Sequence, residues 1–213
     1  VSADGVRARH ATSVVSIVSA LAPDATIDVH PVGTADLHGR ISCESDRSAA
    51  MARAFSDAGG AQVILVTSTV ARSPELDREV RDAVARGAFV IVARPESAVV
   101  DRSSLLAIDG VIGVQAVDAT GDVPEGHFAE DPEIDVVAQG VDMPMFGVLW
   151  GRVTGSGTSL AAPVVAGCVA AAGADPLSFG WLSEQIVVTP QSTLRHAPLR
   201  AQVPPDAQTR RTE

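Results

Sequence analysis

One segment limits the fold more than any other. Leu160 to Ala172 is apolar at every position. A helix with no polar face has to be covered on all sides. The domain must therefore place packing layers around it. The polar step Gly157-Thr158-Ser159 runs straight into this segment. Ser159 stands where an N-cap belongs. That position aims its hydroxyl away from the helix body, beside unpaired backbone N–H groups and the positive end of the helix dipole. An isolated serine there is ordinarily only a cap. The same surroundings also suit an oxygen nucleophile whose reaction builds negative charge nearby. Pro163 falls at the fourth helical position counted from Leu160, near the limit of what a first turn tolerates. Gly173, with Pro176 just beyond, ends the segment.

The remaining chain alternates helical and strand patterns. Val1 to Arg9 is polar and has no strand pattern. Val14, Ile17, Val18 and Leu21 recur at helical spacing, and Ala22-Pro23-Asp24 stops that helix. Thr26 to Val32 reads as a strand and Gly33 to Ser45 as a loop. Asp46 to Ala58 reads as a helix closed by Gly59-Gly60. Ala61 to Thr67 is a buried strand. Ser73-Pro74 opens a helix whose stripe is Leu76, Val80, Ala83 and Val84. Gly87 closes it, and Ala88 to Ala93 is the next strand. Strand, helix and strand in succession favour parallel pairing through a right-handed crossover. Val111 to Val117 and Ile134 to Ala138 are two more strands, and Gly140 to Thr154 reads as a hairpin around Gly147. The expectation is an α/β fold: a doubly wound, mostly parallel sheet with helices on both faces. Residues 1–189 read as the domain and residues 190–213 as a Pro- and Arg-containing C-terminal tail, whose last dozen residues are expected to be weakly ordered. Ligands of such sheets bind at the carboxyl ends of the strands.

Charge and cysteine usage exclude several functions. The net charge of −10 argues against nucleic acid as a partner. No apolar run reaches the length of a membrane span. Val1 does not open a signal-peptide pattern. All 16 basic residues are Arg, a bias expected of a GC-rich bacterial genome. Cys43 lies in a polar connection and Cys168 on the apolar helix. A disulfide between them is possible but disfavoured, and no metal-ligand spacing is present.

Gly157-Thr158-Ser159-x-Ala161-x-Pro163-x-x-Ala166-Gly167 resembles the nucleophile signature of the subtilisin-like (S8) serine peptidases. His10-Ala11-Thr12-Ser13-Val14 resembles that family's histidine signature, with Ala11 in place of Gly and Ser13 in place of a second His. Asp109 to Val114 and Ile134 to Val141 resemble two of its later strands, with Gln139 in place of a Pro. The resemblance spans about Arg9 to Gly173. It implies Ser159 as nucleophile and His10 as general base, in the family order Asp, His, Ser. The apolar strand that carries the family's aspartate has no counterpart ahead of His10. Asp4, between Ala3 and Gly5, does not fit it.

Further departures surround the site. The family's Ser-Leu-Gly-Gly substrate strand is replaced by Thr67-Ser68-Thr69-Val70. Glu96 falls near its oxyanion asparagine. A carboxylate there opposes an oxyanion instead of donating to it. The resemblance therefore implies a serine endopeptidase acting on a polypeptide substrate. Its triad Asp would come from outside this chain, on an upstream segment or a partner chain. The alternative is a catalytically impaired relative that binds a polypeptide or partner as a scaffold. An unrelated α/β binding domain is a third, more distant reading. No cofactor is expected. Calcium enters only through the resemblance, since no acidic cluster has a calcium-loop pattern. Members of the family work outside cells and in the cytoplasm, so the resemblance does not fix a compartment.

Overall fold

Two apolar stripes at a spacing of two, on strands that face helices on both sides, organise the molecule. The computed structural model describes residues 3–30, 32, 44–95, 104–123, 134–146 and 151–174. Helix α1 (Ala3–Leu21) is followed in the chain by helix α2 (Glu44–Asp57). Strand β1 (Val63–Val66), helix α3 (Pro74–Ala85) and strand β2 (Phe89–Ala93) then form a crossover unit. Strands β3 (Val111–Val117) and β4 (Val136–Gln139) follow. The order across the sheet is β1-β2-β3-β4, and every pairing is parallel. A separate antiparallel hairpin, β5 (Met143–Phe146) with β6 (Arg152–Gly155), precedes helix α4 (Thr158–Ala171).

Alternate residues of each strand serve opposite faces. Val66, Val90, Val92, Val117 and Val137 pack with Met51 and Phe55 of α2 and with Leu76 and Val80 of α3. Ile91, Ile112, Val114, Ala116 and Val136 pack with Ala161, Ala162, Val165 and Val169 of α4. β3 is buried at all its positions, as a central parallel strand covered on both faces should be. α1 lies against α4, the most extensive helix–helix packing among the described residues. Thus α4 is covered by the sheet on one side and by α1 on another, while Val164, Cys168 and Ala170 stay half-buried and Ala171 exposed.

Local signals explain the individual elements. Ser73 caps α3, accepting the Leu76 N–H at 3.2 Å, and Pro74 occupies the first turn. Gly110 has φ +88, and a Cβ there would sit 2.3 Å from Val84 Cγ1, so only glycine lets the chain pass α3 into β3. Several boundaries differ from the sequence expectation. α1 begins at Ala3, so the polar residues before His10 are helical and His10 lies inside the helix, not at its start. Helix-forming Ala and Arg residues there outweigh the missing apolar pattern. α4 begins at Thr158, before its apolar run. Thr26 to His30, expected as a strand, has no regular secondary structure and joins no strand among the described residues. The residue expected at the hairpin turn, Gly147, the tail, Cys43 and Glu96 lie outside the described residues.

The packing yields a ranked expectation. Leu76 is fully buried between α3 and the sheet. Leu76→Ala should lower unfolding free energy by about 2–5 kcal/mol. Ser73→Ala should cost only about 1 kcal/mol, the worth of one cap. Urea denaturation of both variants measures the difference.

Candidate active site

The amino end of α4 is fixed by two short hydrogen bonds. Gly157 is the N-cap, with φ 147, and its N–H donates to the Gly140 carbonyl at 2.7 Å. Its own carbonyl receives the Leu160 and Ala161 N–H groups at 3.0 and 3.3 Å. A Cβ on Gly140 would lie 2.7 Å from Ala116 Cβ and 2.8 Å from the Gly157 carbonyl oxygen. Glycine is therefore required where the turn after β4 meets the helix. Thr158 is 2% exposed, and its Oγ1 donates to the Arg94 carbonyl at 2.5 Å. Arg94 directly follows β2, so this bond ties the helix start to the carboxyl edge of the sheet.

Ser159 is therefore the second residue of α4 and not its cap. The Gly157 backbone geometry, which a side-chain-bearing residue rarely adopts, makes the turn one step earlier. Ser159 is half-buried. It still lies in the first turn, where backbone N–H groups have no acceptor within the helix. Pro163 lies inside α4 and has no N–H to give to the Ser159 carbonyl. The site thus combines a hydroxyl, first-turn N–H groups and the positive helix end.

His10 comes to this end of the molecule through helix packing. A Cβ on Gly167 would sit 2.8 Å from Leu21 Cβ, so the backbone of α4 and the end of α1 approach closely. Equal stretches of chain separate Leu21 from Ser13 and Gly167 from Ser159. With the helices running side by side in the same direction, Ser13 falls at the level of Ser159, and His10 about one turn, or 4.5 Å of rise, beyond. The hairpin supports that direction. Ser13 Oγ donates to the Phe146 carbonyl at 3.3 Å, and Ser16 Oγ accepts the Phe146 N–H at 3.1 Å. The same hairpin reaches the start of α4, because a Cβ on Gly155 would meet Met145 Cε and Leu160 Cδ1.

No hydrogen bond joins the His10 and Ser159 side chains, and among the described residues no carboxylate forms an ion pair with His10. His10 is exposed by surface area, yet the protein around it displaces enough water to lower its pKa below the ordinary 6.5. The cause is desolvation of the charged ring. Thr67 and Ser68 are half-buried and Thr69 exposed, just beyond the carboxyl end of β1. They line the same sheet edge as Arg94. Glu96 lies outside the described residues. Among those residues, no group of His, Cys, Asp or Glu is placed to hold a metal ion, and no helix is long and apolar enough to cross a membrane.

Other polar groups near the sheet were not singled out from the sequence. Arg94 is 2% exposed, and its guanidinium donates to the Pro95 carbonyl at 3.3 Å. Asp135 accepts the Gly113 N–H at 2.8 Å, and burial raises its pKa in spite of that bond. The signal for both was a charged residue interrupting or abutting an apolar strand. The serines that hold Phe146 had no sequence signal beyond their spacing on α1.

Comparison with known proteins adds the fold relationship. No protein-family model matches the sequence, and no curated protein matches it. Solved structures do. A lanthipeptide protease superposes with TM-score 0.58 at 22% identity, covering 74% of this chain and 58% of that protein. A cold adapted subtilisin-like serine proteinase gives TM-score 0.61 at 21% identity, covering 85% of this chain and 64% of the other. The prenylagaramide maturation protease PagA gives TM-score 0.52 at 25% identity, covering 71% and 55%. The chain spans less than two thirds of the length of each of these three proteases.

Two outcomes follow from the geometry. His10 should titrate below 6.5 when its ring resonances are followed by NMR. Because the folded pKa is depressed, the stabilisation linked to it should be complete above pH 6.5 and be lost as pH falls through the folded value. Thr158→Val keeps the shape but removes the bond to the Arg94 carbonyl. It should cost about 0.5–1.5 kcal/mol in urea denaturation. The layered sheet, the helix bearing Ser159 and these structural matches together give this chain a subtilisin-like fold.

Proposed function

We propose that this chain is the His- and Ser-bearing portion of a subtilisin-like serine endopeptidase whose aspartate is supplied from outside residues 1–213. The reading rests on one observation above the others: α1, carrying His10, packs along α4, carrying Ser159, with the two helices closely apposed at Leu21 and Gly167. Three solved proteases of the same fold support it.

The reaction is acyl transfer to a polypeptide carbonyl. His10 takes the hydroxyl proton as Ser159 Oγ bonds to the scissile carbon. The C–N bond then breaks, and the proton leaves with the amine. Water attacks the resulting ester and gives a proton to His10; the bond between the acyl carbon and Ser159 Oγ breaks, His10 returns that proton to Oγ, and the acid is freed. The Ser159 N–H, at the positive end of α4, is a natural donor to the oxyanion. A depressed His10 pKa keeps the imidazole neutral, and so able to accept a proton, at neutral pH. Thr67, Ser68 and Thr69 are the proposed substrate contacts at the edge of β1. Without the aspartate, turnover falls roughly 10⁴-fold in such triads.

A second reading has its own support. The unlinked His10 and Ser159, and the lack of a carboxylate paired with His10 among the described residues, fit a scaffold that binds a polypeptide without cleaving it.

A fluorophosphonate probe separates the two. Covalent labelling of Ser159, lost in Ser159→Ala and strongly slowed in His10→Ala, is the expected result. Absence of labelling in the complete protein, beside an active control peptidase, favours the scaffold. Peptide cleavage that vanishes in Ser159→Ala excludes it.

A further inference from the structure

The two edges of the β5–β6 hairpin are built differently. On β5, Pro144 has no N–H to offer. Both backbone groups of Phe146 are taken by α1: the N–H by Ser16 Oγ at 3.1 Å, the carbonyl by Ser13 Oγ at 3.3 Å. Antiparallel partners alternate between hydrogen-bonded and non-bonded pairs. Phe146–Arg152 and Pro144–Thr154 are therefore the non-bonded pairs, and Met145–Val153 and Met143–Gly155 carry the ladder. The N–H and C=O groups of Arg152 and Thr154 thus point away from β5. No described strand pairs with them, and Arg152, Val153 and Thr154 are all exposed. One edge of the hairpin is closed by proline and by α1; the other is bare.

The bare edge has a side-chain pattern and a place. Val153, in the middle of the strand, is apolar and 43% exposed. Thr154 is β-branched, and Arg152 forms no ion pair among the described residues. Edge strands are ordinarily blunted by charge, proline or cover, and Arg152 is the single such device on β6. Unused backbone groups flanked by apolar and β-branched side chains are what an extended peptide pairs with. β6 also leads straight into the candidate site. A Cβ on Gly155 would lie 3.2 Å from Leu160 Cδ1, and only Ser156 and Gly157 separate Gly155 from α4. Arg152 is about 10 Å of strand further off. The edge therefore begins at the first turn of α4 and runs outward from it.

We infer that the outer edge of β6 is a docking strand for an extended polypeptide, which pairs with Arg152 and Thr154 and turns the hairpin into a three-stranded sheet. The occupant runs antiparallel to β6, the more stable pairing and the one the hairpin already uses. Its composition follows from the row it faces. An acidic residue lies opposite Arg152, an apolar residue opposite Val153 and a β-branched residue opposite Thr154. Proline is excluded opposite Arg152 and Thr154, because the N–H there enters the ladder. That this polypeptide is a substrate, gripped at a distance from the bond to be cut, rests on the peptidase reading; the docking edge rests on the bonding pattern of the hairpin alone.

The test uses the full chain and the blocked peptide Ser-Val-Thr-Val-Glu-Ser, which sets Thr opposite Thr154, Val opposite Val153 and Glu opposite Arg152. Amide hydrogen exchange and fluorophosphonate labelling of Ser159 are read on the same samples. Without peptide, the Arg152 and Thr154 amides should exchange fast while Met145 and Val153 are protected. Excess peptide should slow Arg152 and Thr154 by about tenfold or more. The same peptide N-methylated at Thr and Glu should leave them fast. Arg152→Glu should weaken the peptide roughly threefold, and Lys in place of its Glu should restore binding to that variant. Protection with labelling supports both the docking edge and the peptidase. Protection without labelling supports the edge and counts against the peptidase. Labelling without protection supports the peptidase and overturns the edge, and so does the absence of both as far as the edge is concerned. Equal protection by the N-methylated peptide overturns strand pairing. Slow exchange of Arg152 and Thr154 in the chain alone overturns it too, because the edge is then already filled.

Discussion

Everything in this fold follows from a helix that has no side it can show to water. α4 buries Leu160, Ala161, Ala162, Val165, Ala166 and Val169 to 5% exposure or less. Small residues dominate its surface, so the elements around it come very close. Burial of this kind leaves little freedom in direction or depth, because interiors are packed to crystal-like density. The start of such a helix is the one part that must remain polar. Its position is set by the Gly157–Gly140 and Thr158–Arg94 bonds, which join two strand ends to one helix end. A hydroxyl in the next position is therefore held by the core itself.

The same constraint explains what could be read from the sequence. Ser73-Pro74, Gly87 and the run from Val111 to Val117 carry local instructions, and each produced the expected element. The apolar run of α4 announced the helix and its burial. Its first residue lies ahead of the apolar run, because the chain reversal depends on Gly140, which is distant in sequence and close in space. α1 starts earlier than its apolar spacing predicts, for a different reason. Its first turns lack apolar periodicity, so only helix propensity marked them. The strand pattern of Thr26 to Val32 was legible, but a strand exists only with a partner, and partnership is not a local property.

The candidate site was legible in residue identity and not in its geometry. Ser159 and His10 could be named from their signatures. Their relation depends on the close contact of Leu21 with Gly167 and on the attachment of Phe146 to Ser13 and Ser16. None of these has a pattern that a single sequence displays. The charged interruptions Arg94 and Asp135 were visible as oddities, yet their hydrogen bonds to strand ends emerge only in three dimensions.

The contact between Leu21 and Gly167 has a mechanical consequence. It is a fulcrum at one end of a rigid rod, and His10 rides the rod about 16 Å away. A tilt of one degree about this pivot swings the imidazole by roughly 0.3 Å, a large part of the about 0.5 Å within which the proposed chemistry would have to be held. The serines gripping Phe146 act on the same rod much nearer its moving end. The hairpin is thus a brace on the arm that carries the histidine.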